Sequence, residues 1–311
     1  LCLTRTAERM ATRNCLVKVI DALYDLACTT ILFVDKSVLT TNNMLASQIW
    51  IPSNQERIIT AAPSDDLTII QECMQMSGWQ TLMRTAILCS QAEYFIDQHQ
   101  ANRNAPLAEW DGDAREIAII KYAEYAELDI AAIRQLYPRR DIRRFTPEIK
   151  RVESYHHNNE PNMEGMHLDC MMGAPERIFH RCSTVLLNDE EIPNDGDIVL
   201  ERMFNETLIQ MASLGETVLG FADRQYHRDE GPQENWRFLG LMSFSDPIRE
   251  NAPTAIEKCR LAGVKVILIS GDHPVTVCAL TKRLTIFSPE SETVEDVAIK
   301  LNIPVERVEP R

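Results

Sequence analysis

Two short apolar runs stand out along the chain. Ile31-Leu32-Phe33-Val34 is one, and Val264-Lys265-Val266-Ile267-Leu268-Ile269 is the other. Runs of this length, rich in β-branched residues, are the pattern of strands buried on both faces of a parallel sheet. Each ends in polar residues, Asp35-Lys36-Ser37 after the first and Ser270-Gly271-Asp272-His273-Pro274 after the second. Such edges, at the carboxyl ends of parallel strands, are where open α/β sheets place ligands. Val275 to Leu284 then returns as helix, as does Asn251 to Leu261 before the second run, closing at Gly263.

The flanking and middle segments read differently. Residues 4–27 carry apolar positions at helical spacing and predict one amphipathic helix. Residues 45–62 predict strand and turn around Ile49-Trp50-Ile51-Pro52. Residues 64–99 predict two helices, the first capped by Ser64-Asp65-Asp66. Asn102 to Pro106 reads as a loop. Asp113 caps a helix running to about Leu128, with Glu116 placed to complete a capping box. A short helix follows over 130–137.

From Arg139 to Met172 the pattern is strands joined by polar turns, with Arg144-Phe145 heading one strand and His156 to Asn162 forming a turn. His167 to Met172 is strand, and Gly173-Ala174-Pro175-Glu176 a tight turn into a helix with proline in its first turn. A helix over 196–213, a strand Val218–Ala222, a polar stretch 223–235 and a strand Arg237–Phe244 complete the middle. The simplest architecture is a parallel-sheet domain, split in sequence, with an α+β domain inserted after its first strand. Asp35 and Asp272 are then expected side by side at one sheet edge.

Composition adds exclusions. The chain has 311 residues, a formal net charge of -14 and a sequence pI of about 5.0. That balance argues against a nucleic-acid surface, which needs clustered Lys and Arg, but leaves room for a local nucleotide pocket. No apolar run reaches bilayer-spanning length, so a soluble chain is expected. Nine dispersed cysteines without a Cys-x-x-Cys pair fit free thiols rather than zinc. His156 and His157, lacking ligand-spaced partners, read as solvated turn residues.

Candidate chemistry centres on Asp35. A strand-end carboxylate can attack phosphorus and form an acyl phosphate; an ordinary acidic turn is the plain alternative. Five pieces, in order, resemble one family, the P-type cation-transporting ATPases, and in particular its sodium/potassium-transporting α-subunit type. They are Asp35-Lys36-Ser37-Val38-Leu39-Thr40, Asp111-Gly112-Asp113-Ala114-Arg115-Glu116, Met172-Gly173-Ala174-Pro175-Glu176-Arg177, Asp246-Pro247-Ile248-Arg249 and Ser270-Gly271-Asp272-His273-Pro274. Asn14-Cys15-Leu16-Val17-Lys18 precedes them, and the tail through Val305 is similar as well.

The resemblance implies a haloacid-dehalogenase-like, Rossmann-type phosphorylation domain, incomplete here, with an inserted α+β nucleotide-binding domain. The implied division is 1–45 as stalk end and first part of the phosphorylation domain, 46–245 as the nucleotide-binding insert, and 246–311 as the second part. It implies ATP and Mg²⁺ as cofactors. In the intact family it also implies transport of Na⁺ and K⁺ beside a β subunit, at the cytoplasmic face of the plasma membrane. Asp35 is then the phosphoryl acceptor, with Lys36 and Ser37 at the transferred phosphate and Asp35 and Ser37 helping to hold Mg²⁺. Phe145 stands at the adenine-stacking position, Glu116 near the adenine, Lys150 at a lysine near the nucleotide, Asp246, Arg249 and Asp272 near the phosphates, and Gly173 and Gly271 at other nucleotide positions.

Departures from the family pattern set a second expectation. One residue, a glycine, is missing after Ser37. Met172 and Thr217 stand where the family has a lysine and an arginine, and Val152 where it has a glutamine. Losing two cations from a polyanion site costs about 1–3 kcal/mol each. Weak ATP binding and no stable phosphorylation of Asp35 are expected. The alternative function is a degenerate paralogue that binds a nucleotide weakly or a partner. A soluble dehalogenase-class phosphatase would leave Phe145, Lys150 and the Gly-Ala-Pro-Glu turn without a purpose.

Overall fold

The computed structural model describes residues 2–53, 58–60, 73–96, 108–196, 198–232, 234–287, 294, 297 and 300. The chain divides into two compact units: Leu1–Thr40, Ile248–Gly271 and Leu280–Arg311 form the smaller, and Thr41–Pro247 with Asp272–Ala279 the larger. The expected cap at Ser64-Asp65-Asp66, the loop at 102–106 and nearly all of the tail beyond Phe287 lie outside the described residues.

In the smaller unit, β1 (Ile31–Asp35) pairs in parallel with β13 (Lys265–Ile269), with Asp35 opposite Ile269. The two apolar runs thus pair as expected. Val34, Leu39, Ala252, Ile256, Leu280 and Leu284 form its buried core. Ahead of β1 the expected single helix over 4–27 is two, α1 (Cys2–Ala11) and α2 (Ala22–Ala27). Asn14 takes a left-handed conformation at φ 61°, and the Cys15 amide bonds back to the Met10 carbonyl at 2.9 Å. That is a helix-terminating turn, and it leaves Leu16, Ile20 and Leu26 exposed. A single turn, α3 (Lys36–Leu39), follows β1 directly.

The larger unit is a mixed α/β body built on a mainly antiparallel sheet. Among the described residues the sheet holds β2 (Leu45–Trp50), β3 (Ile58–Thr60), β6 (Arg139–Arg143), β7 (Arg151–His157), β8 (Met166–Gly173), β9 (Thr184–Leu187), β10 (Glu190–Pro193), β11 (Thr217–His227) and β12 (Arg237–Ser245). The order is β10-β9-β12-β11-β8-β7-β6, with β2 also on β12 and β3 on β2. Among these pairings only the short β9–β12 contact is parallel. Apart from this sheet, β4 (Glu93–Ile96) pairs antiparallel with β5 (Ala108–Asp111).

Side chains alternate between two cores, because successive strand residues face opposite ways. Cys170, Met172, Phe221, Leu239 and Met242 point to one face, against α4 (Trp79–Cys89) and α5 (Ala114–Tyr125). Met171, Ala222, Phe238 and Leu241 point to the other, against α7 (Pro175–Phe179) and α8 (Ile198–Ala212). There Phe179 stacks on Phe204 at 4.2 Å, and Phe238 meets both edge-on. The other helices are α6 (Ile130–Leu136), α9 (Ala252–Leu261) and α10 (Pro274–Arg283).

Several expectations for this region fail for identifiable reasons. His156 and His157 belong to β7, paired with Leu168 and His167, and the turn begins at Asn158. The His156 ring is buried with Nδ1 2.9 Å from the Tyr137 carbonyl. Arg144-Phe145 follows β6 instead of heading a strand, because the chain turns at Thr146–Lys150, where the Lys150 amide donates to the Thr146 carbonyl. The second helix expected before residue 99 stops at Cys89, and Glu93–Ile96 is strand.

The polar stretch after Ala222 is also partly strand, for β11 runs to His227. Its charges are paired in the interior: Asp223 with Arg84 at 3.1 Å and Arg237 at 3.0 Å, and Arg224 with Asp169 at 2.9 Å. Paired and hydrogen-bonded charges are what a buried strand tolerates.

Candidate functional site

Asp35 ends β1 and caps α3. Its Oδ1 accepts from the Ser37 amide at 2.9 Å and from the Ser37 hydroxyl at 2.7 Å. The hydroxyl bond first, then the amide bond, holds the Asp35 carboxyl below its ordinary value. Asp35 and Ser37 are exposed, and Lys36 is buried. The backbone enters a helical turn straight after the carboxylate, and the position after Ser37, where the chain lacks the glycine of the motif it resembles, falls within that turn.

Asp246 and Arg249 lie where the chain passes from one unit to the other. In the smaller, the Arg249 amide donates to the Leu39 carbonyl at 3.0 Å and its Nε to the Val38 carbonyl at 3.1 Å. In the larger, Asp246 Oδ1 accepts from the Asn42 amide at 3.0 Å. Each side chain is engaged in pinning backbone within its own unit. Gly271 falls in the smaller unit and Asp272 in the larger.

Phe145, Lys150, Gly173 and Glu116 all lie in the larger unit. Phe145 follows β6 and leaves 47% of its surface exposed. Lys150 is exposed, at φ 50°. Its carbonyl accepts from the Ala174 amide at 3.0 Å. Gly173 lies opposite Arg151 in the β7–β8 ladder, with its open side filled by the Lys150 carbonyl. Its lack of a Cβ thus serves strand packing. Glu116 is buried, and its Oε2 accepts from the Gln91 amide at 2.7 Å. Asp113 does cap α5, but Glu116 bonds to Gln91 in place of completing a capping box. Burial, the largest influence, raises the Glu116 carboxyl.

One residue that sequence reasoning passed over stands beside this group. Asp113 Oδ1 accepts from Arg115 Nε at 2.8 Å and Oδ2 from Nη2 at 2.9 Å. The guanidinium so fixed lies 5.9 Å from the Phe145 ring centroid. The signal was in the sequence: an arginine stands in Asp113-Ala114-Arg115-Glu116 where the family piece has serine.

An exposed aromatic ring and an exposed lysine on the same unit, five residues apart in the chain, suit a purine base with an anionic tail. The replaced positions offer nothing to add. Met172 and Val152 are buried opposite each other in the β7–β8 ladder, and Thr217 is buried at the start of β11. The Asp35 carboxylate and the Ser37 carbonyl are oxygen donors of the type Mg²⁺ takes. Among the described residues no group of three or more His, Cys, Asp or Glu is placed to hold a metal. No helix among them is long and apolar enough to cross a membrane.

Comparison with known proteins accords with this arrangement. The family model for the P-type ATPase cytoplasmic domain N matches residues 78–251. The chain belongs to the P-type ATPase family. The whole of it is 38% identical to a sodium/potassium-transporting ATPase subunit alpha-B from Artemia franciscana and 38% identical to a sodium/potassium-transporting ATPase subunit alpha from Drosophila melanogaster, covering 32% and 30% of those proteins. It is also 36% identical, over 99% of its length, to the potassium-transporting ATPase alpha chain 2 of Homo sapiens. The chain spans about a third of the length of the curated relatives it matches.

Proposed function

We propose that this chain is the nucleotide-binding and phosphoryl-acceptor region of a sodium/potassium-type cation pump, with nucleotide affinity reduced from the family's. The carrying observation is the exposed Phe145 ring on the same unit as exposed Lys150, within the matched residues 78–251. On this reading the base stacks on Phe145, Lys150 neutralises part of the phosphate charge, and buried Glu116 keeps the neighbouring backbone in place through Gln91. The paired β1 and β13 are the first strands of a dehalogenase-like phosphorylation domain.

Asp35 is the acceptor in this proposal. Its carboxyl is ionised at neutral pH, as a nucleophile must be. Bound Mg²⁺ would neutralise phosphate charge, with the Asp35 carboxylate and the Ser37 carbonyl as its protein ligands. The intact pump would carry Na⁺ and K⁺ beside a β subunit, with this region at the cytoplasmic face of the plasma membrane.

A second reading, a paralogue without phosphoryl transfer, draws on two observations. The Ser37 amide and hydroxyl both occupy Oδ1 of Asp35, and Met172 and Thr217 bring no cation. The test is calorimetric titration with Mg-ATP and, separately, labelling with γ-labelled ATP followed by acid quench. Weak binding is expected, without an acid-stable label on the chain as it stands. A label that disappears in Asp35→Asn would eliminate the inactive reading. Absence of any ATP binding would remove the main one.

A further inference from the structure

Arg115 lies in the Phe145 neighbourhood, yet the proposed nucleotide site gives it no role. It is not a swinging surface arm. Two parallel hydrogen bonds to the Asp113 carboxylate, 2.8 Å and 2.9 Å, fix the plane of its guanidinium. Asp113 is itself anchored by accepting the Arg115 amide at 2.9 Å as cap of α5. A side chain clamped at both ends in this way holds its head in place, 5.9 Å from the Phe145 centroid and within cation–π range.

An aromatic ring that awaits a base is normally open. This one carries a fixed cation near its face, although 47% of the Phe145 surface remains exposed. We propose that Arg115 occupies part of the Phe145 surface that a purine base would use, and so sets the nucleotide affinity of this chain. This rests on the reading of Phe145 as the base platform. The base gains its stacking energy only by displacing the guanidinium, which forfeits the cation–π contact and loosens the Asp113 clamp. Phosphates pull the other way, since Arg115 attracts them, so the occlusion is clearest with an uncharged ligand.

The experiment is therefore ligand-observed NMR titration with adenosine and, in parallel, with ATP. The proteins are the wild-type chain, Arg115→Ser, Phe145→Ala and the double variant. Arg115 is partly exposed and outside both cores, so the serine variant is expected to fold; a thermal melt confirms it. Arg115→Ser should tighten adenosine binding by about two- to fivefold, the worth of an exposed cation–π contact. The gain should vanish when Phe145 is alanine. ATP should gain less than adenosine. Unchanged or weakened adenosine binding in Arg115→Ser, with wild-type binding still dependent on Phe145, overturns the proposal alone. If no variant binds adenosine in a Phe145-dependent way, the platform reading fails and the proposal with it.

Discussion

A Cβ placed on Gly173 would stand 2.4 Å from the carbonyl oxygen of Lys150 and 2.6 Å from the Cβ of Arg151. The β7–β8 ladder closes at this point, and the same carbonyl receives the Ala174 amide. Gly173→Ala should therefore push Lys150 away and cost about 1–3 kcal/mol, the usual penalty of overpacking. Urea unfolding followed by circular dichroism measures it. An unchanged midpoint would show that the ladder end yields without cost.

The buried His156 ring makes stability depend on pH. Burial pushes its pKa down to about 4 from an ordinary 6.5. The unfolded chain therefore takes up this proton first as pH falls. The stability held by the neutral ring is full above pH 6.5, and is lost progressively between 6.5 and 4. The whole loss is about 3 kcal/mol. His156→Gln should flatten the fall in urea midpoint between about pH 7.5 and about pH 4.5. An equally steep fall in the variant would place the effect elsewhere.

Asp223 is fully buried between Arg84 and Arg237. Asp223→Ala removes the shared carboxylate of two guanidiniums, leaving Arg84 with Tyr137 and Arg237 with Glu191 in the larger unit. Breaking one side of a buried pair costs about 3–5 kcal/mol. A drop of that size in the unfolding free energy is expected, with a smaller one for Arg237→Ala, since Arg84 would still pair with Asp223.

These charges show where sequence reasoning reached its limit. The two parallel strands were legible as strands and pair as such, but the expected cover on both faces is absent: of β1 only Val34 is buried, and Ile31, Leu32, Phe33 and Ile269 are exposed. Phe221-Ala222 was legible as strand, but Asp223, Arg224 and Gln225 were not. Their burial depends on partners at residues 84, 169 and 237, far away in sequence. His156 and His157 misled in the same way, because strand pairing overrode two polar side chains beside a turn. In the candidate site, Phe145 and Lys150 are proposed through motif resemblance. Gly173 was found by the same route, yet its structural role is backbone packing. Arg115 was missed because its significance lies in the Asp113 clamp, which only the folded helix start displays.

Ser37 governs the ionisation of Asp35 through two bonds to one oxygen. The ordinary aspartate value is 3.8, and the folded value lies below it. The capping contact is thus present above the ordinary range and lost as pH falls through the depressed value. Ser37→Ala removes the hydroxyl bond and should raise the Asp35 carboxyl toward its ordinary value. Side-chain carboxyl NMR titration reads this directly, and an unmoved titration would discount the hydroxyl.

The central claim is that nucleotide is held on the larger unit around Phe145. Backbone amide shift mapping during titration with Mg-ATP tests it most directly. Perturbations concentrated at residues 113–116, 145–150 and 173–174, saturating only at high nucleotide concentration, are predicted. Shifts that avoid Phe145 and Lys150, or saturation at micromolar ATP, would contradict the account.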